Sequence, residues 1–218
     1  MSRKKRKKFE EIKTFPNVLQ WDDENVKKRV KKIINQYEKV ILELACGKGE
    51  YSLHLGNKYS DILIIGIDIQ GERIWKGAKD ALEKKLDNVY FLRIQIQNIE
   101  EYISENSIDE IWITFPDPFL RERDIKRRLT SPNFLDIYEK ILKKNGVIHL
   151  KTDSDELYEY TLETINSMKL NILKNISDIY PFGDIENVTD VQTTFEKKHL
   201  ENGKKIKYLE FNFHIIFS

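Results

Sequence analysis

The sequence contains one cysteine, and none of its apolar runs approaches the roughly 20 residues needed to cross a membrane. A single cysteine excludes an internal disulfide, which is typical of proteins in a reducing compartment. The first residues are charged where a secretory signal peptide would need an apolar stretch. We therefore expect a cytoplasmic protein that has no membrane partner.

The sequence also lacks the G-x-G-x-x-G pattern of dinucleotide-binding folds. This absence makes a nicotinamide-dependent dehydrogenase the least favoured enzyme class. None of the histidines stands at metal-ligand spacing from Cys46, so no metal site is expected. The histidines are His54, His149, His199 and His214.

Acidic and basic residues are nearly balanced in number but unevenly distributed. Lys and Arg number 37 and Asp and Glu 36, which gives a formal net charge of +1. Residues 1–32 hold 12 basic against 5 acidic residues, and residues 121–128 and 196–207 each hold 5 against 2. Basic segments on an otherwise acidic chain predict a localised surface for a polyanion. Taken alone, each segment also fits a merely solvated surface.

The first 14 residues are the most basic stretch and show no apolar periodicity. The segment "MSRKKRKKFEEIK" is low in complexity, and we predict that residues 1–14 form a mobile arm. No linker or repeat divides the remainder, so residues 15–218 are predicted to form one domain.

Apolar runs and helical patterns alternate along that domain. The runs are continuous rather than alternating, which is typical of strands buried on both faces of a parallel sheet. We predict a doubly wound α/β fold whose mostly parallel sheet has an antiparallel edge strand. The predicted strands are residues 39–45, 61–69, 88–95, 108–115 and 146–152, with 206–217 at the edge. The predicted helices are residues 24–37, 49–59, 72–85, 99–105, 131–146 and 154–168, with Ser131 and Gly146 as caps of the fifth.

The loop after the first of these strands has the features of a ligand site. It reads "LELACGKGE", in which Gly47 and Gly49 stand between Glu43 and Glu50. The glycines allow a tight turn and a close approach to a ligand. The two carboxylates would repel a phosphate, but they suit the sulfonium and the amino group of S-adenosylmethionine. We therefore expect this cofactor at the carboxyl edge of the sheet, where such folds bind ligands.

Polar residues follow the next two predicted strands. Asp68 stands 21 positions after Gly47, where an acid can accept hydrogen bonds from ribose hydroxyls. Asn98 follows the third strand and is a candidate for the adenine edge. A helix N-cap is the alternative for Asp68, and a capping loop residue is the alternative for Asn98.

The fourth strand ends in "FPDPFLRERDIKRR", which begins at Phe115. Pro116 and Pro118 restrict the backbone on either side of Asp117, so this carboxylate is expected on a stiff loop. Phe119 is either a stacking partner for a base or a packing residue. Five cations follow and could hold phosphates beside the site. They are Arg121, Arg123, Lys126, Arg127 and Arg128.

Several of these segments resemble the bacterial tRNA (guanine-N7)-methyltransferase family. "FPDPFLRERDIKRR" is similar to its F-P-D-P-W-x-K-x-R-H-x-K-R-R segment, and "TTFEKKHLENGKKIKYLEF" to its T-x-[YF]-E segment followed by G-x-x-I. The loop "LELACGKGE" is similar to the family's cofactor loop, and "KTDSDELYEY" to the end of its fifth strand. The resemblance runs from about residue 15 to 213. Four positions depart from the family's usual residues. They are Ala45 for Gly, Phe119 for Trp, Arg121 for Lys and Asp124 for His.

The resemblance implies a Rossmann-like class I methyltransferase that modifies a guanosine in the tRNA variable loop. It implies that Glu43, Asp68, Asn98 and Asp117 line the cofactor side of the site. It further implies that the nucleotide or the tRNA meets Arg121, Asp153, Thr193, Thr194, Phe195 and Glu196.

Guanine N7 has a free lone pair and no proton, so its methylation needs orientation and charge placement more than a strong base. Our hypothesis is that Asp117 accepts from the guanine N1–H and amine groups, with Asp153 or Glu196 sharing that task. Two other functions stay open at this point. One is a methyltransferase acting on another RNA, a protein or a small molecule, and the other is a non-enzymatic RNA-binding protein.

Overall fold

A computed structural model describes residues 3–213, with side chains from residue 6 onward. Its eight strands form one sheet in the order β1-β4-β3-β2-β5-β6-β8-β7. The strands are β1 (Val18–Gln20), β2 (Val40–Leu44), β3 (Leu63–Ile67), β4 (Val89–Arg93), β5 (Ile108–Thr114), β6 (Leu142–Thr152), β7 (Asn171–Ile176) and β8 (Lys207–Asn212). The seven α-helices are α1 (Arg3–Ile12), α2 (Val26–Ile34), α3 (Glu50–Lys58), α4 (Gly71–Glu83), α5 (Pro132–Ile141), α6 (Asp155–Ser167) and α7 (Thr194–Glu201).

The central strands confirm the predicted parallel sheet. β2 and β3 are buried along their whole length, and β2 pairs in parallel with both β3 and β5. β3 also pairs in parallel with β4, and β5 with β6. Because β2 and β3 are covered on both faces, their residues are apolar apart from Glu43.

Helices cover both faces of the sheet and bury two apolar layers. Residues of α2, α5 and α6 pack together with Leu42 and Leu44 on one face. Residues of α1, α3 and α4 pack with Ile41 and Trp112 on the other. In residues 3–213, no helix is long and apolar enough to cross a membrane.

Residues 3–12 of the predicted arm form α1. Phe9 lies against the start of α4 at Gly71, and Ile12 is buried. The Trp75 Nε1–H donates to Glu11 at 3.0 Å, and the Lys8 ammonium lies 4.6 Å from the centre of the Trp75 ring. Too few apolar residues lie in α1 for a periodic pattern, and packing against α4 stabilises it. Residues 1 and 2 of the predicted arm lie outside the described residues.

The sheet has two edge strands that the sequence did not predict. β1 pairs in parallel with β4, and β7 pairs antiparallel with β8. The late strand is antiparallel as predicted, but it lies between β6 and β7 instead of at the edge, and residues 214–217 of that prediction lie outside the described residues. Gly146 is not a helix cap, because α5 ends at Ile141 and β6 begins at the next residue.

This topology brings the ends of five parallel strands to one edge of the sheet. The loops that follow β2, β3, β4, β5 and β6 therefore lie side by side at the carboxyl edge. They contain four of the predicted site residues at the ends of different strands. These are Gly47, Asp68, Asp117 and Asp153.

Candidate active site

A cavity of about 630 Å³ opens at the carboxyl edge of the sheet, a volume that suits a drug-sized ligand. Its wall includes two carboxylates, from Asp68 and Asp117, and three cations, from Arg73, Lys126 and Arg127. Much of the remaining lining is apolar and suits a flat ring. These residues include Ile69, Ile94, Ile96, Leu129, Phe134 and Ile137.

The loop between β2 and α3 is fixed by Asp68 and by its glycines. The Gly47 N–H donates to Asp68 Oδ2 at 3.0 Å, and the Gln70 N–H donates to Asp68 Oδ1 at 2.8 Å. Gly49 has a φ of +68°, and a Cβ atom there would lie 2.5 Å from the Phe91 ring. The glycines thus shape the loop, whereas Ala45 reaches the cavity wall. Ala45 has a φ of +55°, which explains why glycine suits this position.

The loop that carries Asp117 is held in a strained conformation. Phe115 and Phe119 have φ values of +47° and +43°, which bulky residues rarely adopt. Arg128 holds this loop from behind by donating to the carbonyl oxygens of Pro118 at 2.9 Å and Phe119 at 3.3 Å. Such strain persists only where the surroundings enforce it, and it is common at functional sites.

Asp117 is exposed at the tip of this loop. Its Oδ1 accepts a hydrogen bond from the Phe119 N–H at 3.0 Å. Among residues 3–213, its Oδ2 has no hydrogen-bond partner. One carboxylate oxygen therefore fixes the side chain, and the other is available to a ligand.

A second cavity of about 860 Å³ adjoins the first. Arg73, Phe115, Pro116 and Asp117 line both cavities and form the wall between them. The rest of the second cavity includes three lysines and two apolar side chains that are more than half exposed. These residues are Lys204, Lys205 and Lys207, with Leu120 and Phe195.

Asp153 lies in the second cavity and is already paired with two groups. Its Oδ2 is 2.5 Å from the Lys204 Nζ and 3.2 Å from the His199 Nδ1. The Lys207 ammonium donates to the Asp153 carbonyl oxygen at 3.1 Å. The second cavity therefore combines Asp117 with lysines that are held in place by Asp153. The first cavity instead has a mainly apolar lining that includes Asp68 and Asp117.

Comparison with known proteins identifies the family. A family model described as "Putative methyltransferase" matches residues 37–209. The tRNA (guanine-N(7)-)-methyltransferase of Christiangramia forsetii is 42% identical, over 96% of this chain and 98% of that protein. The same-named protein of Cytophaga hutchinsonii is 36% identical, over 98% and 99%.

The chain belongs to the tRNA (guanine-N(7)-)-methyltransferase family.

Solved structures agree on the fold of this family member. The 16S rRNA methyltransferase KamB superposes with a TM-score of 0.66 at 13% identity, over 86% of this chain and 94% of that one. An S-adenosylmethionine-dependent methyltransferase of Aquifex aeolicus superposes with a TM-score of 0.56 at 14% identity, over 94% and 98%. At such identities the likeness shows the fold alone. It is the class I methyltransferase fold that the sequence predicted.

Of the cofactor residues predicted for this family member, two line the first cavity and four do not. Asp68 and Asp117 do, and Gly47 and Gly49 lie in the loop behind Asp68. Asn98 is exposed on the short 3₁₀ helix Ile96–Glu101, outside the cavity, whereas Gln95 and Gln97 line it. The position of each residue around this turn therefore places the amides of Gln95 and Gln97, but not that of Asn98, on the cavity wall.

Glu43 is the fourth predicted cofactor residue that does not line the cavity. It lies within β2 and is only 2% exposed. Its carboxylate accepts from the Ser52 N–H at 2.9 Å, the Ser52 hydroxyl at 2.5 Å and the Thr114 hydroxyl at 3.0 Å. Glu43 thus joins β2 to α3 and β5 behind the cofactor loop.

The predicted substrate residues divide in the same way. Asp153 and Phe195 line the second cavity, while the exposed Arg121 lines neither cavity. Thr193 caps α7 by accepting from the Glu196 N–H at 3.2 Å. Thr194 donates from its N–H and its hydroxyl to Glu50, at 2.6 and 2.7 Å. These two threonines therefore fix the start of α7.

Glu196 is fully buried and paired with Lys151, which is also buried, at 2.8 Å. The Tyr180 hydroxyl donates to the same carboxylate oxygen at 2.7 Å. Lys151 also donates to the carbonyl oxygens of Val188 and Val191. Burial lowers the pKa of Lys151, and the nearby Glu196 carboxylate opposes that shift. In this structure, Glu196 anchors α7 and does not contact the second cavity.

The basic segment after Asp117 has three different roles. Arg128 is 6% exposed and supports the Asp117 loop, as described above. Arg127 and Lys126 line the first cavity, and the Arg127 guanidinium lies 4.4 Å from the centre of the Phe119 ring. Only Arg121 and Arg123 remain exposed and outside both cavities.

Three polar residues that line these cavities were not assigned to the site by sequence analysis and are the most relevant to its chemistry. Arg73 lies on the shared wall, and His199 and Lys204 lie in the second cavity. Arg73 comes five residues after Asp68, in the first turn and a half of the following helix, so helix geometry could have placed it. His199 and Lys204 depend on how α7 docks, which no local pattern reveals.

The buried Glu43 gives the protein a defined pH dependence. Burial raises the pKa of Glu43 to about 7 from an ordinary 4.5, against the hydrogen bonds from Ser52 and Thr114. The folded state therefore binds this proton more tightly than the unfolded chain does. Its stabilising contribution is complete below pH 4.5 and is lost as the pH rises to about 7.

We expect the substitution Glu43→Gln to remove this dependence, because the neutral amide keeps the shape without titrating. Relative to the variant, the wild type should lose about 2–3 kcal/mol of unfolding free energy between pH 5 and pH 8. Urea denaturation at both pH values measures it. Glu38→Gln, at an exposed position before the same strand, is the control and should follow the wild type. An equal pH dependence in Glu43→Gln would contradict this role of Glu43.

Proposed function

We propose that this chain transfers the methyl group of S-adenosylmethionine to N7 of a guanosine in the tRNA variable loop, in the cytoplasm. The observation that carries the proposal is the position of Asp117, on the wall shared by the two cavities. One cavity suits an adenosine-containing cofactor, and the other suits a base attached to a polyanion. The reacting atoms would meet beside this carboxylate.

The first cavity fits S-adenosylmethionine in size and in chemistry. Each oxygen of Asp68 accepts one backbone hydrogen bond and keeps a lone pair for a ribose hydroxyl. The isoleucines and Phe134 offer a slot for the adenine ring. Arg73 and Lys126 can pair with the carboxylate of the cofactor. The carboxylate of Asp117 can stabilise the positive charge of its sulfonium. When bound, the cofactor supplies an electrophilic methyl group.

Asp117 is expected to orient the guanine. Its free Oδ2 can accept from the N1–H and the exocyclic amine, which fixes the orientation of the base in the second cavity. The negative charge also stabilises the positive charge that develops on the base as N7 forms its new bond. No proton has to leave N7, so this residue acts by position and charge.

The second cavity is suited to a nucleotide that has left its stack. Leu120 and Phe195 provide exposed apolar surface against which a base can pack. Lys205 lies on the same wall and can neutralise a flanking phosphate. This pairing of apolar and basic groups favours RNA over a small neutral substrate.

We expect the wild type to convert unmodified tRNA to a product containing 7-methylguanosine, and Asp117→Asn to slow this reaction about 100-fold. The amide cannot accept two donors or balance the developing charge. The measurement is single-turnover transfer from labelled S-adenosylmethionine at saturating tRNA, followed by nucleoside analysis. Cofactor affinity, from calorimetry, should fall by about fivefold at most.

Asp124→Asn is the matched control for that substitution. Asp124 lies in the same basic segment, pairs with Arg127 at 3.3 Å and lines neither cavity. It should keep the wild-type rate. An unchanged rate in Asp117→Asn would refute the role of Asp117, and absence of 7-methylguanosine with wild-type enzyme would refute the proposed function.

A second surface for tRNA is expected on α1. Phe9 of this helix contacts Gly71 at the start of α4, which follows β3 at the carboxyl edge of the sheet. The basic residues just before Phe9 therefore lie near that edge. Arg6 and Lys7 are exposed there and are free to meet phosphates.

Replacing both Arg6 and Lys7 with Ala should weaken tRNA binding and reduce its salt dependence. The slope of log K against log salt should become less steep by about 1–2, since fewer counterions are released. Titrations of tRNA at several salt concentrations measure this slope. The matched control replaces Lys31 and Lys32 with Ala, in the last turn of α2 at the opposite edge of the sheet. Equal slopes for the two double variants would show that α1 does not contact tRNA.

A further inference from the structure

His199 occupies a fixed position on the wall of the second cavity. It lies on α7, its side chain is 24% exposed, and its Nδ1 is 3.2 Å from the Asp153 carboxylate. Its ring is nearly parallel to that of Phe115, at 14° with 6.0 Å between the ring centres. Two contacts thus hold the imidazole before any ligand binds, so little rotamer entropy is lost on binding.

The second ring nitrogen of His199 is not used within the fold. In the described part of the chain, Nε2 has no hydrogen-bond or ion-pair partner, while Nδ1 is engaged by Asp153. The other polar groups nearby are largely committed to each other. Lys204 pairs with Asp153, Lys207 pairs with Asp155, and Ser154 caps α6.

The geometry leaves room for a planar base that contacts both His199 and Phe115. A base coplanar with the imidazole would lie within about 14° of parallel to the Phe115 ring, so it could stack on that ring as well. Phe115 also borders the first cavity. Because Phe115 lines both cavities, a base stacked on it would lie beside the wall that the two cavities share.

The chemistry of guanine identifies which group His199 would meet. On the edge that carries N7, guanine offers O6 as an acceptor, whereas adenine offers an amine donor in its place. Asp117 is assigned above to the donors at N1 and the exocyclic amine. N7 must stay open to the methyl group, so O6 is the acceptor left for the protein to recognise on that edge.

We propose that His199 reads guanine by donating from Nε2 to O6, with Nδ1 donating to Asp153. This inference rests on the proposed function and assigns a specificity residue to the same site. Both nitrogens donate in the doubly protonated ring. A donor at this position excludes adenine, whose amine would face it without a partner.

The test compares guanosine with 6-thioguanosine at the target position of the tRNA. The sulfur is a weaker acceptor than O6, while the N1–H and amine donors are kept. We expect the wild type to form the 7-methyl product from guanosine faster than from 6-thioguanosine. His199→Phe keeps the aromatic stack but loses the donor, so the rate on guanosine should fall about tenfold. The ratio of the guanosine rate to the 6-thioguanosine rate should fall by about the same factor. His199→Gln, which restores an N–H donor, should recover part of the preference.

His54→Phe is the matched control. His54 has a similar exposure of 26% and lies 3.4 Å from an aspartate, Asp190, but it lines neither cavity. It should keep the wild-type preference. An unchanged preference in His199→Phe, or equal loss of rate on both substrates, would overturn the role of His199 while leaving the proposed function intact. Failure of the wild type to methylate guanosine would instead overturn the proposed function, and the inference with it.

Discussion

The second cavity depends on one buried ion pair, between Lys151 at the end of β6 and Glu196 in the first turn of α7. Removing both charges from water is costly, and hydrogen bonds from the Tyr180 hydroxyl and to two backbone carbonyls offset part of that cost. Within the described residues, Glu196 Oε2 has no hydrogen-bond partner. Hydrogen bonds from the exposed Thr194 to Glu50 give the start of α7 a second attachment. Phe195 and His199 reach the cavity because this pair holds the helix against the sheet.

The first cavity depends instead on backbone conformation. Hydrogen bonds from Gly47 to Asp68 and from Arg128 to the Pro118 carbonyl hold two loops whose positive φ values are unfavourable for Ala45, Phe115 and Phe119. Strain of this kind, about 1–3 kcal/mol for each such residue, is tolerated where it places a functional group. Here the strained residues surround Asp117, and the shared wall between the cavities is consequently stiff.

The sequence predicts the sheet better than its edges. β2 and β3 are nearly continuous apolar runs, so burial on both faces is visible in the residues themselves. β1 has only three residues, and the middle of β7 is exposed and polar, so neither has a pattern to detect. α1 has the composition of a disordered segment and becomes a helix only through partners such as Trp75, 64 positions from Glu11.

The family resemblance named segments that line the two cavities, but not the direction of each side chain. The predicted acids that reach a cavity follow a strand: Asp68 comes after Ile67, Asp117 lies in the loop after β5, and Asp153 comes after Thr152. Glu43 lies one residue before its strand ends, so it belongs to a sheet face and is enclosed by Thr114, 71 positions away. An acid inside a central strand therefore stabilises the fold, whereas one just past its end can act on a ligand. Whether an acid lies inside a strand or just past its end depends on where the strand ends, and sequence patterns predict strand ends less well than the strands themselves.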